Sequence, residues 1–278
     1  MASRLSGAFL RAVLVVLVIA TPSLMLPGIG ADTRQIVALA ALCAGVLTFV
    51  EYASTYPGLV EFRDAAPFNR IRFVSLFLTL FLLSALMASG STPSTLSLFV
   101  RVTGMAVAQS IDLPYSPVRL LTMMLAADTP PAQVELVRTA GGLAYIISLI
   151  TLAYFVLILR TLGWPNRATS FNVWVNLPTF DPTAGGDIVS RLRRDARFNI
   201  GLGCLLPFVI PAMVYSASSL FDPVTLTSPH TLIWTVTAWA FLPVSLFMRG
   251  IAMGRIATMI EQTRQSNQRM ATAQLAAA

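Results

Sequence analysis

Six apolar stretches, nearly free of charge, divide the chain at 12–31, 36–56, 73–89, 139–159, 198–221 and 231–248. Each supplies about the 20 residues that a hydrocarbon core requires. The apolar runs are unbroken, whereas a membrane β-barrel would need stretches of about ten residues that alternate in polarity. A lipid-exposed span must also satisfy its own backbone hydrogen bonds. The pattern therefore predicts an all-α integral membrane protein, a polytopic bundle of six transmembrane helices forming one domain over 1–261, with a polar tail at 262–278. Arg4 and Arg11 ahead of the first stretch, and Gly30-Ala31 at its end, also fit a signal peptide. The prolines Pro22 and Pro27 and the quick return into a second stretch favour an uncleaved helix.

Two connecting segments carry structure of their own. Between the third and fourth stretches, 96–108 is apolar but too short to cross, with Arg101 at its middle. Ser116-Pro117 then reads as a helix start, serine as N-cap and proline in the first turn, for a short helix over 118–127. This outer loop thus holds two short helices, interfacial or re-entrant, and the interfacial reading is preferred because re-entrant backbone needs protein or a water cavity around it. The second segment is the loop 160–197. Residues 171–178 alternate weakly, as a short extended strand would, and 180–186 is turn chemistry. Asp187 caps an expected helix with Ile188, Leu192 and Ala196 on one face and Arg191, Arg193, Arg194 and Arg197 over much of the rest. This basic amphipathic helix leads directly into the fifth stretch, as a lipid anchor or a docking surface.

Charge sets the orientation. All 19 basic residues are arginine and 11% of the chain is charged, far below the roughly 25% of soluble domains. Counted on alternate sides of the six stretches, fifteen arginines fall with the termini and four opposite. The positive-inside rule then puts both termini in the cytoplasm, most simply at a bacterial inner membrane. The arginines flank apolar runs rather than forming one patch, so nucleic-acid binding is not implied.

Candidate chemistry is sparse. Without lysine there is no Schiff-base or phosphate-loop lysine. The one histidine, His230, lies at the outer entry to the sixth stretch and reads as an interfacial residue. Cys43 and Cys204 lack metal spacing and read as small buried hydrophobes. No metal site or cofactor is expected. Glu51 is the one charge inside an apolar stretch and hence the candidate intramembrane functional residue. It lies near the cytoplasmic end of its helix, where pairing with Arg63, Arg70 or Arg72 is the preferred reading. Helix packing is the stronger signal. Ala41 with Gly45, and Gly250 with Gly254, are small-xxx-small pairs that allow close helix approach. Pro207, Pro211 and Pro243 interrupt the fifth and sixth stretches.

These features point to a non-catalytic membrane protein, an accessory, assembly or scaffold subunit acting through helix faces and the arginine-rich loop. Its expected partners are membrane lipids and a membrane protein or a second copy. The alternative is a small-solute transporter or channel component using Glu51 and the proline-broken helices. An intramembrane enzyme fits least, because convergent titratable groups are missing.

Overall fold

The computed structural model describes residues 2–164, 172–181, 183, 185–217 and 226–277. Among them there is no strand, and nine helices follow in order: α1 (Ala2–Met25), α2 (Ala31–Ala53), α3 (Phe68–Ala88), α4 (Thr95–Ile111), α5 (Pro117–Met123), α6 (Pro131–Thr161), α7 (Val173–Asn176), α8 (Ile188–Ala217) and α9 (Pro229–Ala277). Six of them, α1, α2, α3, α6, α8 and α9, are long and apolar enough to cross a membrane. Many large apolar side chains point outward, among them Leu39, Val46, Ile150 and Phe198. Such a surface suits lipid or a protein partner.

The bundle has two cores, one towards each end. One gathers Leu83, Leu86, Val118, Leu121, Val137, Leu232 and Trp239 from α3, α5, α6 and α9. The other gathers Phe62, Phe68, Phe155, Leu159, Leu177, Leu192, Met248 and Ile256, so it joins two connecting loops to α3, α6, α8 and α9. Serine and threonine inside the spans bond largely to their own backbone, as Thr79 does to Ser75 O at 2.8 Å. Ser148 instead donates across helices to Ala240 O at 3.0 Å.

Between α3 and α6, α4 turns its stripe of Ser97, Val100, Gly104 and Ala108 inward. A Cβ at Gly142 would lie 2.6 Å from Ala108 Cα, so glycine is what lets α4 approach α6 this closely. Ser94 and Ser97 form a reciprocal capping box at the start of α4, and Ser116 caps α5. The second short helix ends at Met123, earlier than the residue 127 expected from sequence. Asp112 ties this loop down by pairing with Arg119 at 3.2 Å and Arg138 at 3.0 Å.

Two sequence expectations are corrected. The expected strand at 171–178 is a helical turn over Val173–Asn176, Phe171 lying outside the described residues. A single extended segment would have no strand to bond, whereas here Asn176 N reaches Asn172 O at 3.1 Å and Leu177 N reaches Val173 O at 2.8 Å. Cys43 and Cys204 are exposed, not buried. An apolar residue in a membrane helix is as well placed against lipid as against protein, so hydropathy does not decide its direction. The expected turn at 180–186 lies partly outside the described residues, as do Arg167 and the end of the fifth stretch.

A candidate site among arginines at one end of the bundle

The second core organises a cluster of polar groups around the α2–α3 connection. Glu51, buried near the end of α2, accepts N–H groups from Gly58 at 3.0 Å, Leu59 at 2.9 Å and Val60 at 3.0 Å. Its carboxylate thus folds the following loop back onto the helix. None of the expected arginine partners holds that carboxylate. Arg63 donates to main-chain oxygens, Glu51 O at 3.1 Å and Ser54 O at 2.7 Å. These carbonyls are left over at the helix C-terminus, and a guanidinium satisfies them while opposing the negative end of the helix dipole.

Glu61 lies eight residues past Ala53, the last residue of α2, but in space it meets α9. Arg249 grips its two carboxylate oxygens at 2.6 and 2.8 Å. Asn69 Nδ2 donates to Glu61 O at 2.7 Å, which fixes the loop against the start of α3. One turn along, Arg72 donates from Nε to Ser245 Oγ at 3.3 Å and lies over the rings of Phe68 and Phe241.

Several of these residues border a half-open cavity of about 1020 Å³ between α1, α2, α3, α8 and α9. Arg11, Arg70, Arg72, Arg249 and Glu61 line one part, and Leu14, Phe73, Leu206, Leu242 and Leu246 another. A smaller cavity of about 470 Å³ adjoins it, lined by Arg4, Arg11, Tyr52, Thr55, Arg63 and Asp64. Arg11, stacked over the Tyr52 ring at 4.7 Å, borders both. Glu51, Pro207 and Pro211 do not line the larger one. Trp239 Nε1 donates to the Pro207 carbonyl at 3.0 Å, so an oxygen beside the helix interruption is satisfied by protein.

The arginines of the loop helix point in several directions. Arg191 donates to Asp181 O at 2.8 Å and stacks over Phe180. Arg193 pairs with Glu261 of α9. Arg194, 72% exposed, has Asp195 at 3.4 Å, and Arg197 is exposed. Asp187 does precede the helix, accepting Ser190 N at 3.0 Å, and also accepts from Arg264 at 2.6 Å.

The small-residue pairs are used within the chain. Ala41 is buried, and a Cβ at Gly45 would meet Val16 Cγ2 at 2.6 Å, so this face of α2 lies on α1. A Cβ at Gly250 would meet Ala196 O at 2.6 Å and Ile200 N at 2.9 Å, and one at Gly254 would touch Ala196 Cβ at 3.8 Å. The face is therefore that of α9 on α8. His230 Nε2 is 3.3 Å from Ser23 Oγ at the far end of the bundle. Among the described residues no group of three His, Cys, Asp or Glu side chains is placed to hold a metal.

Sequence reasoning missed Arg249 as a site residue and named Arg72 only as a partner for Glu51, whose carboxylate it does not hold. A usable signal was that Arg70 and Arg72 fall inside the first turns of α3 once that helix starts at Phe68. Comparison with known proteins finds no matching family model, no matching curated protein and no matching solved structure.

Proposed function

We propose that this protein is a non-catalytic accessory, assembly or scaffold subunit of a membrane complex, working through its helix faces and its arginine-rich end. The observation that carries this reading is the last part of α9. From 262 to 276 every residue is exposed, yet the helix continues to Ala277. A helical stretch exposed all round buries nothing of its own, and about 15 residues without such burial are marginal as a helix in water. A partner surface, on another membrane protein or a second copy, supplies the missing burial. Met270 and Leu275 are the exposed apolar side chains it would cover. Arg194 and Arg197 add cationic groups on the same side for a partner or an anionic leaflet.

In this reading the protein resides in a bacterial inner membrane with both termini cytoplasmic, by the arginine asymmetry. Helices α4 and α5 then lie at the outer interface. The reading is tested by cross-linking and mass measurement of the full chain and of a form lacking 262–278, both in mild detergent. A complex or oligomer that dissociates on removal of the tail is the expected result. A monodisperse single chain in both cases would sink the idea.

The transporter alternative draws on the large cavity, but its two proposed elements stand apart from it. Glu51 is engaged by three backbone amides, and neither Pro207 nor Pro211 lines the cavity. Glu51→Gln would impair a coupled transporter and leave a scaffold's partner retention intact.

A further inference from the structure

The larger cavity is chemically two-sided. Four guanidiniums, Arg11, Arg70, Arg72 and Arg249, face one carboxylate, Glu61, and that carboxylate is already held by Arg249. Among the described residues Arg72 forms no ion pair; its partners are the Ser245 hydroxyl and the faces of Phe68 and Phe241, at 5.5 and 5.8 Å. A cation among apolar groups costs free energy unless an anion meets it. Beyond the arginines the walls are largely leucine and phenylalanine, and the exposed lining includes Arg11 and Arg70 at the charged end and Leu10, Val74 and Leu242, apolar side chains of long apolar helices. With the helices in a membrane, that apolar side of the opening meets lipid chains. The adjoining cavity, sharing Arg11 and Tyr52, extends the cationic end towards the polar loop residues Thr55, Arg63 and Asp64.

We propose that this cavity binds an anionic amphiphile, with a phosphate headgroup on Arg11, Arg70 and Arg72 and a hydrocarbon chain along the leucines of α1, α8 and α9. Guanidinium is suited to phosphate because its planar donors form paired, charge-assisted hydrogen bonds. The volume lies at the upper end of the range of about 300–1,000 Å³ usual for small-molecule sites. A free phosphate satisfies the arginines equally well but leaves the apolar half and the lipid-facing mouth without purpose. The site is separate from the α9 tail and does not depend on the scaffold reading.

The test uses the full chain in detergent micelles, titrated with dioleoyl phosphatidic acid, with phosphatidylcholine of the same chains, and with inorganic phosphate. Retention is read by native mass spectrometry. Phosphatidic acid is expected to be retained at least about tenfold more tightly than phosphatidylcholine, with millimolar inorganic phosphate failing to displace it. Arg72→Gln should remove most of that preference, and Arg70→Gln, at an exposed position, should reduce it severalfold. Arg101→Gln, on the exposed side of α4, is the control and should leave it unchanged. Leu246→Trp, filling the apolar half, should weaken lipid retention with the arginines intact. Equal retention of the two lipids, or a preference that survives both Arg72→Gln and Arg70→Gln, overturns the proposal. Displacement by inorganic phosphate assigns the arginines to the free anion and overturns the amphiphile. Removal of 262–278 should leave lipid binding unaltered, so the two proposals fail separately.

Discussion

Arg249 and Glu61 are 188 positions apart in the chain and joined by two hydrogen bonds, at 2.6 and 2.8 Å. The pair clamps the α2–α3 loop to α9 at the boundary between an apolar bundle and a polar end. Its side chains are only 25% and 12% exposed, so neither charge has free access to water. Glu61→Gln would leave Arg249 without its counter-charge and is expected to cost about 2 kcal/mol, the scale of hydrogen bonds to charged groups. Thermal unfolding of the purified chain, followed by loss of helical circular dichroism, checks this. An unchanged midpoint would show that the clamp contributes nothing.

Glu51 performs a different task, holding three consecutive backbone amides of the loop that follows its own helix. Glu51→Gln keeps the shape but removes the charge from these bonds, and should cost about 1–3 kcal/mol. The loop at 54–60 should then be cut faster in limited proteolysis. A variant that is as resistant as the parent would argue that the carboxylate is there for something other than the loop.

Close helix contact at Gly142 is tested by one methyl group. Gly142→Ala places a Cβ 2.6 Å from the Ala108 backbone, which cannot swing aside as a flexible side chain does. Overpacking of this kind typically costs about 1–3 kcal/mol. Gly201→Ala is the matched comparison, because its Cβ would meet nothing within 4 Å. If the two alanine variants unfold at the same temperature, α4 does not lie on α6 as described.

Asp187 gives a pH-dependent contact. The Arg264 hydrogen bond, then the Ser190 backbone N–H, holds its carboxyl below the ordinary aspartate range. A carboxyl lowered on folding adds stability above its unfolded pKa of about 3.9, and this is lost as the pH falls through the lower folded value. Below about pH 4, therefore, amides at the start of α8 should exchange with deuterium faster. Asp187→Asn should remove the pH dependence of that exchange. Persistence of the acid effect in the variant would assign it to another group.

Much of the architecture is legible along the chain because long apolar helices are written in local composition. The six long apolar helices overlap the six apolar stretches. Local capping chemistry is equally visible: α5 begins at Ser116-Pro117 and α8 directly after Asp187. Side-chain direction is another matter. Cys43 and Cys204 face outward although their surroundings are apolar, because lipid and protein interior look alike to a hydropathy scale.

Of the residues that line the candidate cavity, Arg70 and Arg72 were in view as partners for Glu51 and Arg249 as a span boundary, and none as part of a cavity. Arg72 and Arg249 sit beside apolar runs as most of the chain's 19 arginines do, and nothing local distinguishes them from Arg160 or Arg197. Glu51 was singled out for its charge, but its partners are backbone amides, which carry no signature in side-chain identity.

By itself the sequence determines that this is a bundle of apolar helices with its few charges at the ends, because helix formation and membrane compatibility depend on neighbours within a few turns. Which charges meet was decided only by the tertiary structure. Glu61 reaches Arg249, Arg193 reaches Glu261, and Arg72 is left facing a cavity, because packing of α3 against α9 and of α8 against α9 brings distant segments within bonding distance. Pairing of that kind depends on the helix crossings, and those are set by close approaches such as Gly250 on Ala196 rather than by the charges themselves.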